Sequence, residues 1–425
     1  MSMGVQLNLS MKLEIPYGKD GSQPLVVPQR NFAAAILPND VYSGFEYEVD
    51  AVQQGIDAPI QSDHLEQFLE GAENVVVIVN DGTRPTPTAR VLNVLQTKMR
   101  LENVRYLIAT GAHRAPTEEE LSNIFGAHLP KVRAMVHSHD SRKDKMVLLG
   151  RSKNGTDMWV NDIAVQADRL IIITSVEPHY FAGYTGGRKS FLPGVASYQT
   201  IEQNHRMAMR PEARILGLQG NPVHEDMMDA LKVISDKRIF SIQVVLDRHQ
   251  RIFRVAAGEL NASFKLATEW ANEVYCVKIA SKADVVISVA QYPMDVDLYQ
   301  SQKLLDNAKL ALNLGGTLIF VSKCREGIGD EVFYDQLARS RDPDEVLRNL
   351  AAEYKLGYHK AAKIAELSKW AKIFGVTSLP DDKLERINIR PFDNVQSALD
   401  VALAEKPDGS VLVIFEGSVL VPRVV

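Results

Sequence analysis

Three short stretches of the chain gather side chains able to do acid–base or anion chemistry: Asp81-Gly82-Thr83-Arg84-Pro85, Thr110-Gly111-Ala112-His113-Arg114, and the run from Glu177 to Arg206. In the first, Asp81 offers an acceptor for hydroxyl groups, and Arg84 a planar fork that matches a carboxylate or phosphate. In the second, Gly111 lets the backbone approach a ligand and presents His113, whose imidazole can take or give a proton near neutral pH. The third, EPHYFAGYTGGRKSFLPGVASYQTIEQNHR, holds His179, Lys189 and His205. Each residue alone has an ordinary reading, since loop arginines are often only solvated and a histidine after a strand often caps or packs.

Gly183 to Ser190 looks at first like a phosphate loop, but a Walker A sequence needs Gly directly before its Lys, and Arg188 stands there. What remains is a glycine turn, Thr185-Gly186-Gly187, with backbone N–H groups suited to an anion. Lys189 follows it as a charge partner or covalent anchor. A lysine becomes nucleophilic where burial or a neighbouring cation lowers its pKa, and Arg188 is the cation expected to do so. His113, His179 and His205 would suffice for a catalytic zinc, although they form no HxxxH or HExxH pair. His137 and His139 share a face if their segment is a strand, a second arrangement open to a metal. Gln300 and Lys303, at i and i+3 of an expected helix, share one helical face. His64, His128, His224, His249 and His359 stand alone and read as structural or solvated.

Short Val- and Ile-rich runs alternate with helix-like stretches, the pattern of a mostly parallel sheet. The expected strands are Val75 to Val79, Val104 to Ala109, Leu170 to Thr174, Val285 to Val289 and Thr317 to Val321. Thr117-Glu-Glu-Glu120 is a capping box that starts a helix. Ile239 to Gly258 reads as an antiparallel hairpin closing the first domain, and Ser410 to Val425 as one or two strands free to join either domain. The fold class is therefore α/β, with two domains, 1–268 and 269–425, each a mostly parallel sheet flanked by helices. Because open parallel sheets bind ligands at the carboxyl ends of their strands, the active site is expected in the interdomain cleft, with the domains closing over the substrate.

Composition agrees with a globular protein. Of 425 residues, 45% are hydrophobic and 24% charged, and 48 basic against 53 acidic side chains leave a net charge of −5. That balance argues against a nucleic-acid partner. The two cysteines, Cys276 and Cys324, make no disulfide framework. No run approaches a membrane span, and the first residues lack an apolar block behind a basic start. No membrane partner and a cytoplasmic location are expected.

Taken in order, DGTRP, GAHR, the EPHYFAGYTGGRKSFLPGVASYQTIEQNHR segment and QSQK resemble the lactate racemase family, whose enzymes depend on a nickel-pincer nucleotide. The resemblance runs from Lys12 to beyond Lys360. It implies a cofactor built on nicotinic acid mononucleotide, with two thiocarboxyl groups and a carbon–nickel bond, tethered to Lys189 through a thioamide. It makes His205 the histidine on nickel, and Asp81, Thr185, Gly186 and Gly187 further cofactor-binding residues. His113 and His179 become the acid/base pair, while Arg84, Gln300 and Lys303 hold the substrate carboxylate.

The implied reaction inverts C2 of a 2-hydroxy acid. One histidine takes the hydroxyl proton as hydride leaves C2 for the nickel-bearing pyridinium, and hydride returns to the other face of the planar 2-oxo acid. Other enzymes make the nucleotide, so its presence in purified protein depends on them. Lactate, longer aliphatic hydroxy acids, malate and sugar acids share the carboxylate and hydroxyl that these residues address. Tyr180, Phe181, Tyr292 and the region around Tyr358 are candidate walls. The competing readings are a hydrolase or transferase of another metal that uses the three histidines, and a non-catalytic nucleotide-binding protein.

Overall fold

A computed structural model describes residues 10–232 and 238–425. The chain divides into two compact units. One is Asn39–Val274, and the other joins the segment ending at Pro38 to Tyr275–Val425.

The first unit is built on six strands in the spatial order Ile252–Gly258, Arg238–Leu246, Arg169–Ser175, Val75–Asn80, Arg105–Ala109 and Val136–Ser138. Neighbours are parallel except for the hairpin of the first two, which covers one edge as its alternating sequence predicts. The central strands read as unbroken apolar runs because both faces are covered. Helices Glu48–Asp57, Thr88–Leu95 and Glu118–Phe125 share a core with Val77, Val79, Ile171, Ile173 and Phe240. The third of these helices starts where the Thr117 hydroxyl accepts from Glu120 N–H and the Glu120 carboxylate accepts from Thr117 N–H, the expected capping box. Asn80 pairs with Ala109 and Val79 with Ile173. The loops beginning at Asp81, Thr110 and Val176 therefore leave adjacent strands on the same edge of the sheet.

The second unit also has six strands, all parallel to their neighbours, in the order Ile389–Pro391, Lys372–Val376, Leu312–Val321, Ala283–Val289, Val411–Ile414 and Phe32–Ile36. Val285, Ile287, Ile319 and Phe374 pack with helix Val395–Glu405 and with Ile15, Leu25 and Val27 of the hairpin Ser10–Pro16/Ser22–Pro28. This differs from the expected division into 1–268 and 269–425. The described residues before Asn39 supply an edge strand and core side chains to the C-terminal unit, and the first unit runs on to Val274 through helix Leu260–Tyr275. The C-terminal strands belong to this second unit: Val411–Ile414 inserts in its sheet, and Val421–Val424 pairs with Cys276–Ile279. Among the described residues no helix is long and apolar enough to cross a membrane.

Candidate active site

Three loops from adjacent strands carry the expected residues of the first unit, in two clusters, Asp81 with His113 and Lys189 with His179 and His205. After Val75–Asn80, the Asp81 carboxylate is almost wholly buried and takes three donors: its Oδ1 accepts from Thr83 N–H at 3.2 Å and Thr83 Oγ1 at 2.7 Å, and its Oδ2 lies 2.8 Å from Nδ1 of His113. Burial pushes the Asp81 pKa up, but the His113 contact, the Thr83 hydroxyl and the Arg84 charge outweigh it and hold the carboxyl below its ordinary value. A carboxylate can only accept, so the neutral His113 ring carries its proton on Nδ1 and keeps a lone pair on Nε2. Arg84 Nη1 lies 3.7 Å from Oε1 of the buried Glu177, a loose pairing that ties the first loop to the third. The second loop meets the third through Gly111 N–H, which donates to Gly194 O at 2.9 Å.

The third loop, which follows Arg169–Ser175, is shaped by glycines and one buried cation. Gly186 has a φ of +82°, and a Cβ there would stand 2.5 Å from Val176 Cγ2 and 2.9 Å from Gln243 Oε1, so no other residue fits. The Arg188 guanidinium is 1% exposed and donates to the carbonyls of Ala182, Tyr184, Thr185 and Gly186, with its Cζ 4.3 Å from the Phe264 ring centre. Burial lowers its pKa to about 9, still high enough for a charged group at neutral pH.

Lys189, at the next position in the turn Gly187–Ser190, points its Nζ to within 3.5 Å of His179 Nε2. His179 Nδ1 accepts from Ala182 N–H at 3.3 Å. His205, on the last turn of helix Tyr198–Arg206, lies with Nδ1 3.2 Å from Asn204 Oδ1. One aromatic ring joins all three groups. Phe181 has its centroid 4.6 Å from that of His179, 5.0 Å from that of His205 and 5.5 Å from Lys189 Nζ.

In the second unit, Asp297 caps the short helix Leu298–Ser301 by accepting from Gln300 N–H, and Lys303 opens the next helix, Lys303–Ala308. Gln300 and Lys303 thus occupy two consecutive helices rather than one, yet they meet: Lys303 Nζ donates to Gln300 Oε1 at 3.0 Å.

Comparison with known proteins gives this arrangement a context. A family model described as the lactate racemase N-terminal domain matches residues 17–216, and one described as the lactate racemase C-terminal domain matches 278–421. A lactate racemase of Lactiplantibacillus plantarum is 36% identical over 343 residues, 79% of this chain and 80% of that protein. This chain belongs to the lactate racemase family. It is therefore an isomerase of the racemase kind. The lactate racemase of Thermoanaerobacterium thermosaccharolyticum is likewise 36% identical over 346 residues, 80% of each chain. The structure of the lactate racemase apoprotein from that organism superposes with a TM-score of 0.90 at 32% identity, covering 97% of this chain and all of the other. A Thermotoga maritima structure at 17% identity, with a TM-score of 0.69 over 92% of this chain, shares the fold.

Several expectations change within this lactate racemase frame. The glycine turn is not an open anion nest, because Thr185 N–H donates to Glu177 O at 2.8 Å and Gly187 N–H to Gln243 Oε1 at 3.0 Å. The Arg188 guanidinium also stitches the preceding turn through four carbonyls. No group of three His, Cys, Asp or Glu side chains able to hold a metal occurs among the described residues, so His113, His179 and His205 do not converge as a zinc triad. His139 has Nε2 2.9 Å from Ala196 O and Nδ1 2.9 Å from Asn161 Nδ2, while His137 Nε2 lies 2.8 Å from Asp144 Oδ2. These bonds make the His137–His139 pair structural.

Sequence reasoning missed Glu177, Asn204 and the hub role of Phe181. The position of Glu177 two residues before His179, just after a strand, was the available signal for the first. Nothing local distinguishes the others.

Proposed function

We propose that this chain inverts C2 of a 2-hydroxy acid through a planar 2-oxo acid, using a nickel-pincer nucleotide carried on Lys189. The observation that supports it most is the gathering of an amine and two imidazoles, Lys189, His179 and His205, round the Phe181 ring.

The donor set fits that group. Lys189 offers a primary amine for a thioamide bond, and its loop is held rigid by Arg188 and Gly186. His205, with Nδ1 toward the Asn204 carbonyl oxygen, would present Nε2 to a metal. Thr185, Gly186 and Gly187 shape the turn that aims Lys189, and Asp81 borders the site through His113. When bound, the nickel-bearing pyridinium supplies an acceptor for the hydride of C2.

The remaining work belongs to the side chains. His113, with a bare Nε2, can act as the base, and His179 can act as the acid in its doubly protonated, cationic form. Inversion needs that pair, because the hydroxyl proton is taken on one side and returned on the other. Each turnover exchanges their states. Arg84, only loosely held by Glu177, can turn its fork to the substrate carboxylate and fix C2 for reaction. The resemblance to the lactate racemase family adds Gln300 and Lys303 to carboxylate binding. Phe181 and Tyr180, both buried, keep the region round His179 apolar.

The test is to co-express the chain with cofactor-making enzymes and offer single enantiomers of lactate, longer aliphatic hydroxy acids, malate and sugar acids. Chiral chromatography should show inversion of at least one of them, and peptide mass spectrometry an adduct on Lys189. Lys189→Ala should lose both. Full activity in that variant would refute the tether, and activity toward none of the acids would refute the reaction.

A further inference from the structure

Behind His205 runs a buried chain of hydrogen bonds whose direction can be read atom by atom. Asp226, on helix Pro222–Lys232, is fully buried. Its carboxylate accepts from the Ser152 hydroxyl, from Thr156 Oγ1 at 2.7 Å and from Asn204 Nδ2 at 2.9 Å. Asn204 Nδ2 donates as well to Val223 O at 3.3 Å. Both groups facing that end of the amide can only accept, so the NH₂ must lie there and the carbonyl oxygen must face the other way. That oxygen, Oδ1, sits 3.2 Å from His205 Nδ1. It can only accept, so Nδ1 carries the hydrogen.

We infer that Asn204 and Asp226 are positioning residues that lock His205 in its Nδ1–H tautomer, so that Nε2 bears the lone pair. The relay's purpose rests on the reading of His205 as the metal-binding histidine, whereas its geometry does not. The amide transmits the carboxylate's demand for donors to the ring without placing a negative charge beside it. Ser152 and Thr156, which flank the turn between strands Met146–Arg151 and Asp157–Asn161, hold Asp226 from the far side. The ring thus has its ligand nitrogen set before any metal arrives, as preorganised metal sites require.

The test reads the tautomer directly. Full-length chain with ¹⁵N-labelled histidine, before cofactor loading and at about pH 8.5 where a free imidazole is neutral, is examined by long-range ¹⁵N–¹H correlation. His205 is assigned by the signal that His205→Gln removes. The wild-type ring should show a protonated Nδ1 and a bare Nε2. In Asn204→Ala that preference should be lost, with both nitrogens shifting toward an averaged position. A triple variant, Ser152→Ala/Thr156→Val/Asp226→Leu, fills the far end of the relay with apolar groups and should shift the same way, which covers the case where Asn204→Ala does not fold. A wild-type ring protonated on Nε2 overturns the inference, and so does a folded variant with an unchanged tautomer. An Nδ1–H ring in a chain that never acquires a Lys189 adduct would leave the relay standing and remove the proposed function.

Discussion

Oδ2 of Asp81 stands 2.8 Å from Nδ1 of His113, and this one contact decides which nitrogen of the histidine can act as a base. Asp81→Asn keeps the shape but lets an NH₂ group face Nδ1, which then has to accept, and the proton moves to Nε2. A ring so protonated cannot take the hydroxyl proton. We expect kcat to fall by roughly 10²–10⁴-fold, the usual value of a positioned acid or base, with little change in KM. Steady-state inversion rates on loaded enzyme check it, and a larger effect on KM than on kcat would contradict the assignment.

The same carboxylate sets an acid limit. Its folded pKa is depressed, so its stabilisation is fully present above the ordinary carboxylate value of about 4 and is lost as pH falls through the folded value. Urea unfolding at descending pH should show wild type losing stability below about pH 4 more steeply than Asp81→Asn.

Arg84 pairs loosely with Glu177 at 3.7 Å, and its side chain is still 22% exposed. A fork held this weakly is available to a second carboxylate. Arg84→Met removes a charge-assisted bond to the substrate, and the KM for the hydroxy acid should rise by roughly 10–100-fold, from about 1.5–3 kcal/mol per such bond. An unchanged KM would take Arg84 out of substrate binding.

Much of this was legible in the sequence, for definite physical reasons. The strand at Val75 is an unbroken β-branched run that only a doubly covered sheet accommodates, and Thr117 with Glu120 signals its helix start through purely local bonds. The polar residues of the three loops stood out because they followed each strand end. Phe32–Ile36 was not legible as part of the C-terminal sheet, since an edge strand's partner, here Val411–Ile414, is chosen by long-range packing. The direction of Arg188 was hidden for a related reason: a basic residue in a turn faces inward only where the fold has collected several carbonyls. Gln300 and Lys303 were read as one helix because the Asp297 cap and the break at Gln302 leave no periodic trace in so short a stretch.

Arg188 makes that inward turn testable. Its fork satisfies four buried carbonyls and stacks on Phe264. Arg188→Met keeps the bulk, takes the guanidinium from those carbonyls, of which Gly186 O keeps the Lys189 N–H at 3.1 Å, and should cost roughly 3–5 kcal/mol of unfolding free energy. The loop carrying Lys189 should become sensitive to protease at the same time. A variant as stable as wild type would mean that the carbonyls find water, and that the guanidinium is not what holds the turn.

Glu416 gives the opposite sign of pH dependence from Asp81. It lies just beyond strand Val411–Ile414, where its carbonyl accepts from Val419 and Leu420 N–H, and burial pushes its carboxyl from 4.5 up to about 7. Below pH 4.5 the group is protonated in both folded and unfolded chains and contributes nothing to the balance. As pH rises from there the unfolded chain ionises first, so folding carries a growing cost that levels off above the folded value near 7. Glu416→Gln removes that cost. The variant should match wild type near pH 4.5 and exceed it at pH 8 by up to roughly 3 kcal/mol, at about 1.4 kcal/mol per unit of pKa. Urea midpoints at the two pH values check this, and an equal gain at both would show that the effect is packing rather than ionisation.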